Sequence, residues 1–263
     1  MWARYKAFWR PKHGNSEAEY EDAFWLPTSS PLPACETIRL AVADGATETL
    51  YANLWAKLLV RSYGKCGHPV DFLDPALQRI RGVWKKCVHQ RPLPWYAEAK
   101  VQMGAFSSLL GLSITKVNAG DASPGTWIAH AVGDSCLFHI REDKCLAAFP
   151  LKTSGEFSSR PALLSSSPAS RPCPSFTTDG CWKAGDVFFL MTDALACWFL
   201  AALERGIDPL EPLRRLEQQE DFDQFIAQQR FDAVEAGTSS LRNDDVTMIV
   251  CEMTSDKPPP GLP

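Results

Sequence analysis

Residues 37–43 (TIRLAVA) alternate in part between apolar and polar positions, the period of a strand with one face on a core, and Asp44-Gly45 breaks the run. From about residue 47 to residue 62 the apolar positions shift to helical spacing, with Leu50, Leu54, Leu58 and Leu59 on one face. A second helix is expected over 71–89, with Asp71 or Asp74 near its start and Pro75 in its first turn, where a missing N–H costs little. After the breakers of RPLPW (91–95), residues 105–116, 126–132 and 135–140 read as strands. Gly133-Asp134, between the last two, reads as the tight turn of a hairpin.

Residues 187–203 (VFFLMTDALACWFLAAL) carry a single charge and invite comparison with a membrane span. Asp193 inside the run is costly in a bilayer, and Gly185-Asp186 and Glu204-Arg205 bound it at once. Splitting it at Thr192 gives a buried strand over 187–191 and a helix over 194–203, with Leu195, Trp198, Phe199 and Ala202 at helical spacing. Asp193 then stands at a strand's end and opens a helix. Helical patterning returns over 211–235, and Asn243-Asp244-Asp245 leads into a last strand over 246–251. Residues 152–180, rich in Ser, Pro and Thr, read as a loop or flap, and the tail 256–263 (DKPPPGLP) as disordered, which leaves one α+β domain over 1–255.

Composition narrows the class. With 263 residues, 45% hydrophobic and 22% charged, the chain can bury a sizeable core and is expected to be soluble. A net charge of −4 gives no general attraction to nucleic acid or to anionic membranes, so neither is expected as a partner. The first residues lack the apolar run of an export signal, which points to the cytoplasm. Nine scattered cysteines, an odd number without framework spacing, fit reduced thiols there. Cys66 with His68 and Cys87 with His89 do not have the spacing of a zinc knuckle. Of nine tryptophans, Trp55, Trp84 and Trp198 fall at helical core positions and need no partner to explain them.

The chemistry lies in the acidic turns. Asp44 follows one buried strand, Asp193 follows another, and Asp244 precedes a third. Each alone reads as a solvated turn. If the three strands are neighbours in a sheet sandwich, their carboxylates converge at one end and repel unless cations neutralise them, and an all-oxygen cluster suits Mg2+ or Mn2+.

Several motifs then occur in order: Tyr20-Glu21-Asp22-Ala23, Ala43-Asp44-Gly45-Ala46, Val132-Gly133-Asp134-Ser135, Met191-Thr192-Asp193-Ala194 and Asn243-Asp244-Asp245-Val246-Thr247. In these the chain resembles the metal-dependent phosphatases of the protein phosphatase 2C family, in a form closer to its bacterial branches. The resemblance implies an αββα sandwich: two mainly antiparallel sheets flanked by helix pairs. It implies two Mg2+ or Mn2+ ions, with Asp44 bridging them, the Gly45 carbonyl on one, and Asp193 and Asp244 on the other. Asp22 with Glu21 would act in or just outside that shell through water. Water between ions about 3.5–4 Å apart would attack a phosphoserine or phosphothreonine ester of a phosphoprotein directly. The protein is expected to be monomeric, and its substrate to belong to a kinase-linked pathway.

The chain also departs from the pattern. Ala46 stands where many members carry a histidine, so a proton donor to the leaving oxygen is unassigned, with His13 a candidate by sequence proximity alone. Glu17 stands at the position of the eukaryotic phosphate-gripping arginine, for which Arg10 or Lys12 would have to substitute. Asp134 matches the aspartate of a third, weaker ion site, but Cys197 replaces its carboxylate partner. These departures keep open an alternative, a pseudophosphatase that binds phosphoproteins without turnover. A further rival is an unrelated α+β protein whose acidic turns are mere surface.

Overall fold

The structure, a computed structural model, describes residues 2–28, 32–33, 37–47, 49–67, 75–90, 100–115, 125–170, 173–236 and 241–255. The expected helix start at 71–74, the breakers at 91–95, His68 and the proline-rich tail lie outside these residues.

Strands β1 (Trp2–Arg10), β2 (Ala23–Trp25), β3 (Leu32–Pro33) and β4 (Ile38–Ala43) precede helices α1 (Ala52–Cys66) and α2 (Pro75–His89). Then come β5 (Phe106–Ser107), β6 (Leu109–Thr115), β7 (Gly125–Val132), β8 (Cys136–Arg141), β9 (Lys144–Phe149), β10 (Leu164–Ser165), β11 (Phe176–Trp182) and β12 (Val187–Met191). Helices α3 (Asp193–Glu204), α4 (Leu210–Arg214) and α5 (Gln219–Ala236) lead to β13 (Val246–Thr254).

One large sheet has the order β3-β1-β13-β12-β8-β9, the other β11-β7-β6-β4-β2, β10 and β5 form a two-stranded ribbon, and all the pairings are antiparallel. Side chains that alternate along the strands build three apolar layers. Ile38, Leu40, Val42, Leu110 and Leu112 from one sheet meet Leu137, Phe188, Leu190, Ile249 and Cys251 from the other between the sheets. The opposite faces of β8, β12 and β13, through Phe138, Phe189, Met248 and Val250, pack under Leu195, Phe199, Leu213 and Phe222 of the last three helices. Ala41 and Ala43 of β4 lie under Trp55, Ala56, Leu59 and Tyr63 of α1. Helices thus cover both outer faces, the αββα sandwich that the motifs imply.

Several expectations are corrected. Gly133-Asp134 is not a hairpin turn, because β7 belongs to the five-stranded sheet and β8 to the six-stranded one; Gly133, at φ +93°, lets the chain cross between layers. Helix α1 begins at Ala52 rather than near 47. Its buried face is Ala52, Trp55, Ala56, Leu59, Val60 and Tyr63, while Leu50, Leu54 and Leu58 are only partly covered. The 152–180 segment is not all loop: it contains β10 and most of β11. Helical patterning over 211–235 resolves into two helices, broken at residues 215–218.

Candidate active site

The site is built where strand ends of both sheets meet. Asp44 leaves β4 half-buried, and its N–H donates to the Ser108 hydroxyl (3.0 Å) while its carbonyl accepts from the Ser108 N–H (2.9 Å). Ser108 Oγ in turn lies 2.7 Å from Ser135 Oγ, so one hydroxyl contact spans the entrances to β6 and β8, strands of different sheets. Gly45 is needed for close approach: a Cβ there would stand 2.7 Å from the Glu21 carbonyl oxygen and 3.1 Å from the Ala52 methyl.

Asp22, just before β2, is fully buried. Its Oδ2 accepts from Thr247 Oγ1 (2.7 Å) and Thr192 Oγ1 (3.0 Å), and the Thr247 N–H donates to Thr192 Oγ1 (2.9 Å). Tyr20 adds its hydroxyl to Thr247. Asp22 Oδ1 has no hydrogen-bond partner, and neither has Oδ1 of the buried Asp134. Asp193 is the first residue of α3, where a carboxylate favours the helix N-terminus. Its Oδ1 accepts from the Ala194 N–H (2.6 Å), and Oδ2 pairs with Arg242.

Asp244 lies in the turn before β13, and its carbonyl accepts from Arg230. Asp245, buried beside it, clamps two loops, accepting the Lys12 N–H (2.8 Å) on Oδ1 and the Glu21 N–H (2.7 Å) on Oδ2.

These carboxylates share one electrostatic environment. Burial, followed by the charges of Asp22, Asp193, Asp134 and Asp244, pushes the Asp44 carboxyl well above the usual range. Burial raises Asp22 likewise, with Asp245 and Asp193 adding to it and the threonine hydroxyls opposing. Asp134 is pushed up to about 7 by burial and then by Asp193. Asp193 is raised by burial and Asp244, against the pull of Arg242. Glu21 is raised mainly by burial, relieved by Thr47 and Lys12. The structure brings the residues that the motifs single out, Asp44, Gly45, Asp193, Asp244, Asp22, Glu21 and Asp134, to one end of the sandwich.

Among the described residues, no three carboxylate, imidazole or thiol groups are drawn tightly enough together to grip an ion as they stand. The guanidinium of Arg242 supplies the positive charge beside Asp193. The donor set nonetheless suits a hard divalent cation, being all oxygen, with two buried carboxylate oxygens unpartnered.

The sequence profile described as protein phosphatase 2C matches residues 11–243. The chain belongs to the protein phosphatase 2C family. Membership brings the reaction class with it, metal-dependent hydrolysis of phosphoserine and phosphothreonine esters in proteins. No curated protein matches the sequence. Among solved structures, the chain is similar to the catalytic domain of the serine/threonine protein phosphatase PstP in complex with two manganese ions, at 18% identity over 97% of this chain and 100% of that one, with a TM-score of 0.56. It is similar to RsbX in complex with magnesium, at 17% identity over 97% and 96% (TM-score 0.51), and to the S. agalactiae serine/threonine phosphatase, at 12% over 95% and 99% (TM-score 0.58). At these identities the neighbours establish the fold.

The family's variable parts can now be located on this phosphatase. Glu17 is exposed in a short 3₁₀ turn, and Arg10 donates to the Asp223 carbonyl, so Arg10 does not replace the missing arginine. His13 is exposed and tied through its main chain to Asn243, in the turn beside Asp244 (2.7 Å). Three further groups shape the site: Asp245 and Thr247, which stand in the Asn243-Asp244-Asp245-Val246-Thr247 motif without a part of their own, and Arg242, two residues before Asp244, which the sequence reading leaves unassigned.

Proposed function

We propose that residues 1–255 form one catalytic domain in which Asp44, Asp193 and Asp244, with the Gly45 carbonyl, hold two Mg2+ or Mn2+ ions, with Asp22 and Glu21 supporting them through water. The neighbours' manganese and magnesium complexes and the all-oxygen donor set favour those ions. When bound, such a pair would supply an activated water and neutralise charge on the phosphoryl oxygens. The chain's own work is to bring opposed carboxylates to one place and orient them, against burial and mutual charge that raise their pKa values and that a bound cation would offset. Ser108 fixes the Asp44 backbone, the α3 N-terminus orients Asp193, Thr192 and Thr247 hold Asp22, and Asp245 holds the Glu21 loop. Asp134 would help to hold a third, weaker ion; with Cys197 in place of its partner, its role is secondary.

The observation that carries this reading is the convergence of Asp44, Asp22, Asp134, Asp193 and Asp244 within reach of one another's charge, with two buried carboxylate oxygens, Asp22 Oδ1 and Asp134 Oδ1, unpartnered. A chain that had given up turnover would have no reason to sustain such repulsion, so the pseudophosphatase alternative is not favoured. The substrate is a phosphoprotein of a kinase-linked pathway, and we place the enzyme in the cytoplasm as a monomer. No helix among the described residues is long and apolar enough to cross a membrane.

The test is hydrolysis of p-nitrophenyl phosphate and of a phosphothreonine peptide. Turnover should require Mn2+ or Mg2+, stop with chelator, and fall by roughly a hundredfold or more in Asp193→Asn, with a smaller loss in Asp134→Asn. Turnover indifferent to chelator would end the proposal.

A further inference from the structure

Among the described residues, Arg242 is the guanidinium that ion-pairs with a carboxylate of the acidic cluster. Arg242 pairs with Asp193 Oδ2, and its charge is also felt by Asp134, Asp244 and Cys197. It therefore stands on the side of the site where Cys197 replaces a carboxylate. The Arg242 side chain is 48% exposed while that of Asp193 is 13% exposed, so the arginine reaches the buried carboxylate from the solvent side. The neighbouring arginines are otherwise committed, and Lys12 faces another part of the cluster. Arg230 donates to the carbonyls of Pro11 (3.0 Å) and Asp244, Arg10 to that of Asp223, and the Lys12 ammonium acts on Glu21 at the other edge of the cluster.

Resting on the phosphatase reading above, we infer that Arg242 is the residue that grips the substrate's phosphoryl oxygens. A planar guanidinium fork fits a carboxylate and a phosphate dianion by the same two parallel hydrogen bonds. With a cation bound at Asp193 the attraction that holds Arg242 there would weaken, and an incoming phosphoryl group would be the better partner for the guanidinium. The same exchange gives the ion-free protein a counter-charge for Asp193, which otherwise would keep a buried carboxylate unpaired. The gripping function thus passes from the N-terminal position held by Glu17 to the loop before β13.

The test uses full-length protein stripped with chelator, titrated with Mn2+ by calorimetry, then loaded with Mn2+ and titrated with inorganic phosphate. It compares wild type, Arg242→Ala, Arg242→Lys and Lys12→Ala, with Arg215→Ala as control for an exposed arginine. The inference expects Arg242→Ala to weaken phosphate binding and raise KM for p-nitrophenyl phosphate by about ten- to a hundredfold at saturating Mn2+. Mn2+ affinity should be unchanged or tighter, because a competing cation has left Asp193, and Arg242→Lys should recover part of the loss. Unchanged phosphate affinity in Arg242→Ala would overturn the inference. So would a defect confined to Mn2+ binding and cured by excess Mn2+, or a loss of phosphate affinity only in Lys12→Ala. Absence of hydrolysis in wild type would sink the phosphatase reading instead, while phosphate calorimetry would still decide the role of Arg242.

Discussion

Asp134 shows how a single residue reports on the site. It is buried, one carboxylate oxygen lacks a partner, and its carboxyl is pushed up to about 7. A group whose folded pKa exceeds its unfolded value of about 3.9 stabilises the fold fully below that value and loses the contribution as pH rises through the folded pKa. The ion-free protein should therefore lose stability between about pH 4 and pH 7, and Asp134→Asn should flatten that decline and raise Tm at neutral pH in chelator. Parallel Tm-against-pH curves for the two proteins would show that the carboxyl does not carry the effect. At this scale the sequence was informative where an acid sits at the end of a strand, as at Asp44, Asp193 and Asp244. It was silent on Asp245 and Arg242, whose parts depend on partners elsewhere in the chain: Lys12 and Glu21 for one, Asp193 for the other.

At the scale of elements, the pairing of β7 with β11 shows how the outer edge of the smaller sheet is set. Gly125 lies opposite Trp182 and Gly180 opposite Trp127, so each tryptophan covers the glycine across from it. A Cβ on Gly125 would come within 2.3 Å of the Trp182 ring, a rigid side chain that is fully buried. Gly125→Ala should cost about 1–3 kcal/mol in urea unfolding while leaving turnover per folded molecule intact; an unchanged midpoint would mean the edge strand yields freely. Strand β11 was not legible because most of its residues are at least partly exposed, and FTTDGCW has no apolar alternation to reveal it. Strand β1 was hidden otherwise: its inward positions include Ala3, Tyr5 and Ala7, while Trp2 and Phe8 stand on the other face beside Arg4 and Lys6, which blurs the period. The hydrophobic runs of β12 and β13 were plain, since both of their faces are buried.

At the scale of the whole molecule, the antiparallel order of each sheet collects the acids. Asp44 comes from the five-stranded sheet, Asp193 and Asp244 from the six-stranded one, and Asp134 from the chain that crosses between them. A sequence expressed as a row of strands cannot show that crossing, and Gly133-Asp134 therefore read as a hairpin. The apolar layer between the sheets holds the two halves of the site in register, and function depends on that register being kept. The most direct measurement is an anomalous difference map from crystals soaked in Mn2+. Two strong peaks, with Asp44 touching both and Asp193 and Asp244 touching one, are the predicted result. No peak at these carboxylates, or manganese bound only elsewhere on the surface, would contradict the account.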